Sequence, residues 1–185
     1  AAGGSMHGVQ MWLALPLERE DDAPSFEHHP EASLPAIAPA AGAQGRVLIG
    51  AAFGATSPIQ HPSQPWLVDV ELDADAELEV ESGVAERGVL VIEGAVHLGD
   101  APLAVNQLAV LSSGACPRLR ADTAARLLLV GGPPIGPRLI EWNFVASTQD
   151  RIDRASADWK ARRFPSIPTD DREFIPLPGT TAGVD

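Results

Sequence analysis

Five histidines, one cysteine and a run of alternating carboxylates are the residues here that could hold a metal ion, activate a nucleophile or move a proton. Their spacing limits what they can do. His28 and His29 are adjacent, so in an extended chain their rings point to opposite sides and do not converge on one ion. They stand in Pro- and Glu-rich text, where a solvated pair is expected. His61 sits between prolines in a loop and His97 stands alone in an apolar run; both are expected to be satisfied structural residues. His7 opens the first apolar segment, and a structural role is expected for it too. Cys116 precedes Pro117 with no neighbouring His, Lys or second Cys, so a buried, inert thiol is expected. One cysteine cannot close a disulfide within the chain, which suits a reducing compartment and points to the cytoplasm.

Asp73, Asp75, Glu77, Glu79 and Glu81 form an alternating acidic run. It reads as a solvated strand face that discourages edge aggregation, in preference to a weak cation site. Ser5, in Gly3-Gly4-Ser5-Met6-His7, lacks the second glycine of a nucleophile elbow and follows no strand. Gly131-Gly132-Pro133-Pro134 has no Lys-Ser/Thr and no following helix, so it is a turn and not a phosphate cradle. No catalytic, cofactor-binding or metal-ligating residue is assigned to this chain.

The elements that would position such residues are short strands. Residues 88–111 set the pattern, with apolar runs at 89–92, 95–98 and 103–111 broken at Glu93-Gly94 and at Gly99-Asp100 with Pro102. Residues 9–15 alternate Val9, Met11, Leu13 and Leu15 and are expected to form a first strand ended by Pro16. Residues 17–45 carry no sustained period and read as a long connector. Residues 46–53 are a strand whose glycine marks a bulge. In residues 66–73, Trp66, Val68, Val70 and Leu72 face inward and Asp69, Glu71 and Asp73 outward; residues 76–80 repeat the idea. Residues 118–120 form a short strand, and residues 124–130 are apolar on both faces and expected at the centre of a sheet. Residues 138–145 are a last extended piece. Residues 147–163 are the one convincing helix, with Ser147 as N-cap, Asp150 completing a capping box and Pro165 preventing continuation. Residues 164–185 are an extended tail, its last residues disordered. Trp12, Trp66, Trp142 and Trp159 are expected in cores.

Seventeen glycines and seventeen prolines in 185 residues punctuate the chain heavily, which fits many short strands and argues against a helical bundle. The formal net charge of −12 repels phosphate backbones and disfavours direct nucleic-acid binding. No apolar run approaches the roughly 20 residues that cross a bilayer, and no basic start leads into an apolar segment.

With these residues laid out, the chain resembles the second half of the pirin family. Residues 7–16, HGVQMWLALP, resemble the family's segment leaving its first domain. Residues 127–145, LLLVGGPPIGPRLIEWNFV, resemble its strand, Gly-Gly-Pro turn and Trp-x-x-Phe run. Residues 147–164, STQDRIDRASADWKARRF, resemble its C-terminal helix, with Ile152, Ala155, Asp158 and Trp159 at matching places. Asn143 and Trp159 depart from the usual residues. The resemblance implies an all-β, cupin-like jelly-roll sandwich or barrel with one C-terminal α-helix. It divides the chain into the end of an N-terminal cupin (1–16), a connector (17–45), a C-terminal cupin domain (46–145), a helix (147–163) and a tail (164–185). It also implies that an N-terminal cupin precedes the chain and holds iron by three His and one Glu.

Cupin metal sites place two His one residue apart on a strand, a carboxylate shortly after and a third His beyond a Gly-bounded turn. Anchored on Gly94, the first three positions fall on Glu81, Gly83 and Arg87; anchored on Gly114, the last falls on Pro117. One of the four can bind a metal, and Arg87 would repel it. The expectation is a metal-free half of an intact quercetin 2,3-dioxygenase-type enzyme, with iron in the other half, a flavonol-like substrate and the N-terminal cupin as partner. The alternative is a metal-binding regulator without catalysis, acting through protein partners.

Overall fold

A computed structural model describes residues 3–4, 6–166 and 174–179. The chain divides into a barrel unit, Asp22–Ile135, and a terminal unit formed by Ala1–Asp21 with Gly136–Asp185. Ser5 and residues 180–185, expected to be inert and disordered respectively, lie outside the described residues.

The barrel unit holds twelve strands among its described residues: β1 (Ala36–Ala40), β2 (Ala43–Ile49), β3 (Ala51–Ala52), β4 (Ala55–Thr56), β5 (Trp66–Leu72), β6 (Glu77–Glu79), β7 (Glu86–Glu93), β8 (Val96–Leu98), β9 (Ala101–Leu103), β10 (Leu108–Leu111), β11 (Arg118–Ala121) and β12 (Ala125–Gly132). Six make one antiparallel sheet in the order β1-β2-β5-β12-β7-β10, and four make a second in the order β6-β11-β8-β9. The alternation read in β5 is real: Trp66, Val68, Val70 and Leu72 are buried. They join Val89 and Val91 of β7 and Leu127 and Leu129 of β12, against Leu78, Val80, Val96 and Leu119 on the second sheet's side. Each of these side chains contributes about 1.5–3 kcal/mol by leaving water. β12 sits between β5 and β7, and even its outward Leu128 is 7% exposed, as its two-sided apolar text requires. Gly94 turns β7 into β8 at φ +85°, and a Cβ there would lie 2.3 Å from the Ala124 carbonyl. This is the all-β jelly roll expected.

Several boundaries differ from expectation, and β12 runs on through Gly131 and Gly132, which were expected in a turn but pair with Arg87 and Glu86 of β7. The connector is shorter than 17–45, because β1 and the start of β2 already belong to the large sheet. Its Ala- and Gly-rich text hides the strands: only Ile37 and Ala43 bury themselves, and backbone pairing such as Ile37 with Gly45 does the rest. The strand expected over residues 46–53 breaks at Gly50. The run 103–111 is two strands, separated at Asn106, whose φ is +66°.

In the terminal unit, β13 (Leu139–Glu141) and β14 (Phe144–Ala146) form a hairpin, followed by α1 (Gln149–Lys160). No strand forms over residues 9–15, since none among the described residues pairs with it; Val9, Met11 and Trp12 remain 48%, 37% and 50% exposed. Ser147 does not cap α1. Its hydroxyl donates to Glu20, and Thr148 is the N-cap, without a side-chain capping bond. Of the four tryptophans, only Trp66 lies fully in a core.

Candidate functional site

The interior of the barrel unit is where the implied ligand positions can be tested. Arg87 continues the inward row of Val89 and Val91 on β7 and is 3% exposed. Its guanidinium donates to the Glu81 carbonyl at 2.6 Å and to the Ser112 carbonyl at 3.0 Å. Its Nε finds no hydrogen-bond partner among the described residues. A buried cation satisfied by neutral carbonyls is costly, and it repels any second cation placed beside it.

The other three positions do not converge on Arg87. Glu81 is half-buried, and its carboxylate accepts the Phe53 amide at 2.9 Å. Gly83 is exposed. Pro117 offers only a carbonyl, which accepts from the Val80 amide at 2.9 Å. Among the described residues no three His, Cys, Asp or Glu side chains gather around one point. The residues of this interior do not fit an iron ion.

The remaining candidates are scattered. His28 is exposed, and His29 sits 3.0 Å from Glu27 in the connector. His7 is exposed in the opening segment. His97 is not alone: Asp122 lies 2.8 Å from its Nδ1, and Arg120 shares that carboxylate. His61 Nδ1 accepts the Ser63 amide at 3.2 Å and lies 2.7 Å from the Ser63 hydroxyl. Burial holds the His61 ring below its ordinary pKa, and the amide donor requires the neutral ring. Ser63 is two residues on and bonds the Nδ1 edge within one turn, so the pair is a local loop brace. Cys116 is exposed rather than buried, since the turn after β10 leaves it outside both sheets. Of the acidic run, Glu77 pairs with Arg118 across β6 and β11 at 3.1 Å.

The terminal unit carries a polar network that the sequence reading missed. Glu20, whose side chain is 9% exposed, faces Arg138 Nε and Arg151 Nε, each at 3.1 Å, and receives the Ser147 hydroxyl at 2.7 Å. Arg138 also donates to the Leu15 carbonyl. Asp21 takes a second bond from Arg151, which holds its carboxyl below the usual range. These pairs span more than a hundred positions of chain, so no local motif announces them. An aromatic cluster lies in the same unit: the Trp159 ring meets Trp142, Phe164 and Phe174 at 5.2–5.4 Å, and its Nε1 donates to the Ile175 carbonyl. A recess of about 630 Å³ beside Trp142 is lined by Glu141, Asp153, Ser156 and Lys160. It pairs no nucleophile with a base.

Comparison with known proteins follows the same lines. The family model described as the pirin C-terminal cupin domain matches residues 67–165. A pirin-like protein of Caulobacter vibrioides is 41% identical over 177 residues, which cover 95% of this chain and 61% of that protein. A crystal structure of quercetin 2,3-dioxygenase from Acinetobacter baumannii superposes with a TM-score of 0.81 at 28% identity, covering 94% of this chain and 59% of that one. A second structure of that name and organism gives 0.78 at 25% identity, covering 83% and 55%. The chain thus spans less than two thirds of the length of each. No helix among the described residues is long and apolar enough to cross a membrane.

Proposed function

The chain belongs to the pirin family, and from that premise we propose that it is the C-terminal, metal-free cupin half of an iron-dependent oxidoreductase of the quercetin 2,3-dioxygenase type. The observation that carries the metal-free assignment is Arg87, whose guanidinium occupies an inward ligand position and is tied to two carbonyls. Iron belongs to the N-terminal cupin of the intact protein, held by that domain's three His and one Glu. This half supplies the scaffold and one wall of the entrance for a small flavonol. Its partner is therefore the N-terminal cupin, and the compartment is the reducing cytoplasm. The acidic balance of 25 carboxylates to 13 basic side chains keeps nucleic acid away from it.

The test is oxygen uptake with quercetin, measured on the 185-residue chain and on the same chain joined to the N-terminal half of the Caulobacter relative. The chain alone should leave both oxygen and quercetin untouched. The joined, iron-loaded polypeptide should consume both. Turnover by the chain alone, or no turnover by the iron-loaded joined form over a panel of flavonols, would overturn the proposal.

A further inference from the structure

Four strands end the two large sheets of the barrel unit: β1 and β10 in one, β6 and β9 in the other. A free edge presents unpaired amides and carbonyls to any passing strand, and proteins block it with proline or charge. Three of these edges are blocked. β1 carries Pro39 and β9 carries Pro102. β6 carries Glu77 and Glu79, both exposed. β10 carries neither device. It reads Leu108-Ala109-Val110-Leu111, with Leu111 buried and with Leu108 and Val110 turned outward at 55% and 82% exposure. Across the ladder, Leu108 faces Leu90 and Val110 faces Gly88 of β7, so no long side chain shields Val110.

The same edge is free of charge. Residues 101–117 contain no charged side chain, in a protein whose net charge is −12. Two such acidic molecules repel where carboxylates meet, and this strip brings none to a contact between like copies. An antiparallel pairing is also self-complementary. Under two-fold symmetry one strand supplies both rows of donors and acceptors, and no second surface is needed.

We propose that β10 is a pairing edge at which two copies of this chain join, antiparallel β10 to β10, with Leu108 and Val110 of each packing against the other. The inference rests on the sheet edges and the uncharged strip, and stands apart from the dioxygenase reading. The ladder is four residues long, so the dimer forms reversibly and rises with concentration.

Sedimentation velocity of the 185-residue chain over a concentration series tests it, in reducing buffer so that the exposed Cys116 thiol forms no covalent link. The dimer fraction should rise with concentration. Hydrogen exchange should show protection of residues 108–111 rising in step, with β1, β6 and β9 unchanged. The double variant Leu108→Lys, Val110→Lys should be monomeric throughout with an unchanged far-ultraviolet circular dichroism spectrum. Should that variant not fold, exchange in the unmodified chain still decides. A monomer at every concentration overturns the proposal, as does a dimer whose formation leaves 108–111 exchanging freely. Protection of 108–111 that does not depend on concentration overturns it too, since the edge would then be covered within its own chain.

Discussion

Within the barrel unit the fully buried side chains are valines and leucines set by strand alternation, and the buried charge is the single guanidinium of Arg87. In the terminal unit, Ile152 is the only large side chain buried to that degree among the described residues. Its cohesion comes instead from the pairs of Glu20 and Asp21 with Arg138 and Arg151 and from the rings around Trp159. One region is held chiefly by apolar burial, which brings no charge to screen or titrate. The other is held by ionic and aromatic contacts, which are geometric and screenable. A dry, aliphatic interior suits a scaffold and offers little to a reaction. Polar investment lies where distant segments of chain must be brought together.

Five substitutions can break or sharpen that contrast. Leu127→Ala, at the centre of the large sheet, should cost about 3–4 kcal/mol in urea unfolding, through lost burial and the cavity left behind. Arg87→Ala should cost about 3 kcal/mol, since it strands the Glu81 and Ser112 carbonyls. A cost near zero would show that the guanidinium is a passenger. Glu20→Gln should cost about 2 kcal/mol, discounted because solvent reaches Arg151. Hydrogen exchange should place that loss in β13, β14 and α1, with β5, β7 and β12 unmoved; a loss spread evenly would erase the contrast.

The smallest effects are those of pH. Asp21 titrates lower in the fold than its ordinary 3.8 because Arg151 bonds it. Its contribution is therefore complete above that value and fades as pH falls below it. Asp21→Asn should remove this acid sensitivity from the terminal unit, as read by exchange across α1. His61 also titrates below its ordinary 6.5, through burial. The unfolded chain then takes up the proton first, so stability falls as pH drops beneath that value. His61→Gln should flatten that slope, and an unchanged slope would assign it elsewhere.

Much of this fold was legible because its strands alternate cleanly. Trp66, Val68, Val70 and Leu72 named their own buried face, and the two-sided text of residues 124–130 named the central strand. What failed to read was backbone-driven or long-range. β1 and the first residues of β2 are Ala- and Gly-rich, so pairing rather than side-chain pattern makes them strands. Residues 9–15 alternate well but meet no neighbouring strand. Ser147 looked like a cap until Glu20, distant in sequence, took its hydroxyl. Arg87 was visible only as an awkward residue at a ligand position. Counting back by twos from Val91 and Val89 would have placed it inside the barrel.

The most direct measurement is the metal content of the 185-residue chain after exposure to ferrous iron, read by inductively coupled plasma mass spectrometry beside a calorimetric titration. A barrel filled by Arg87 predicts trace metal and no saturable heat. One tightly held equivalent of iron would contradict the assignment of this half as the metal-free scaffold.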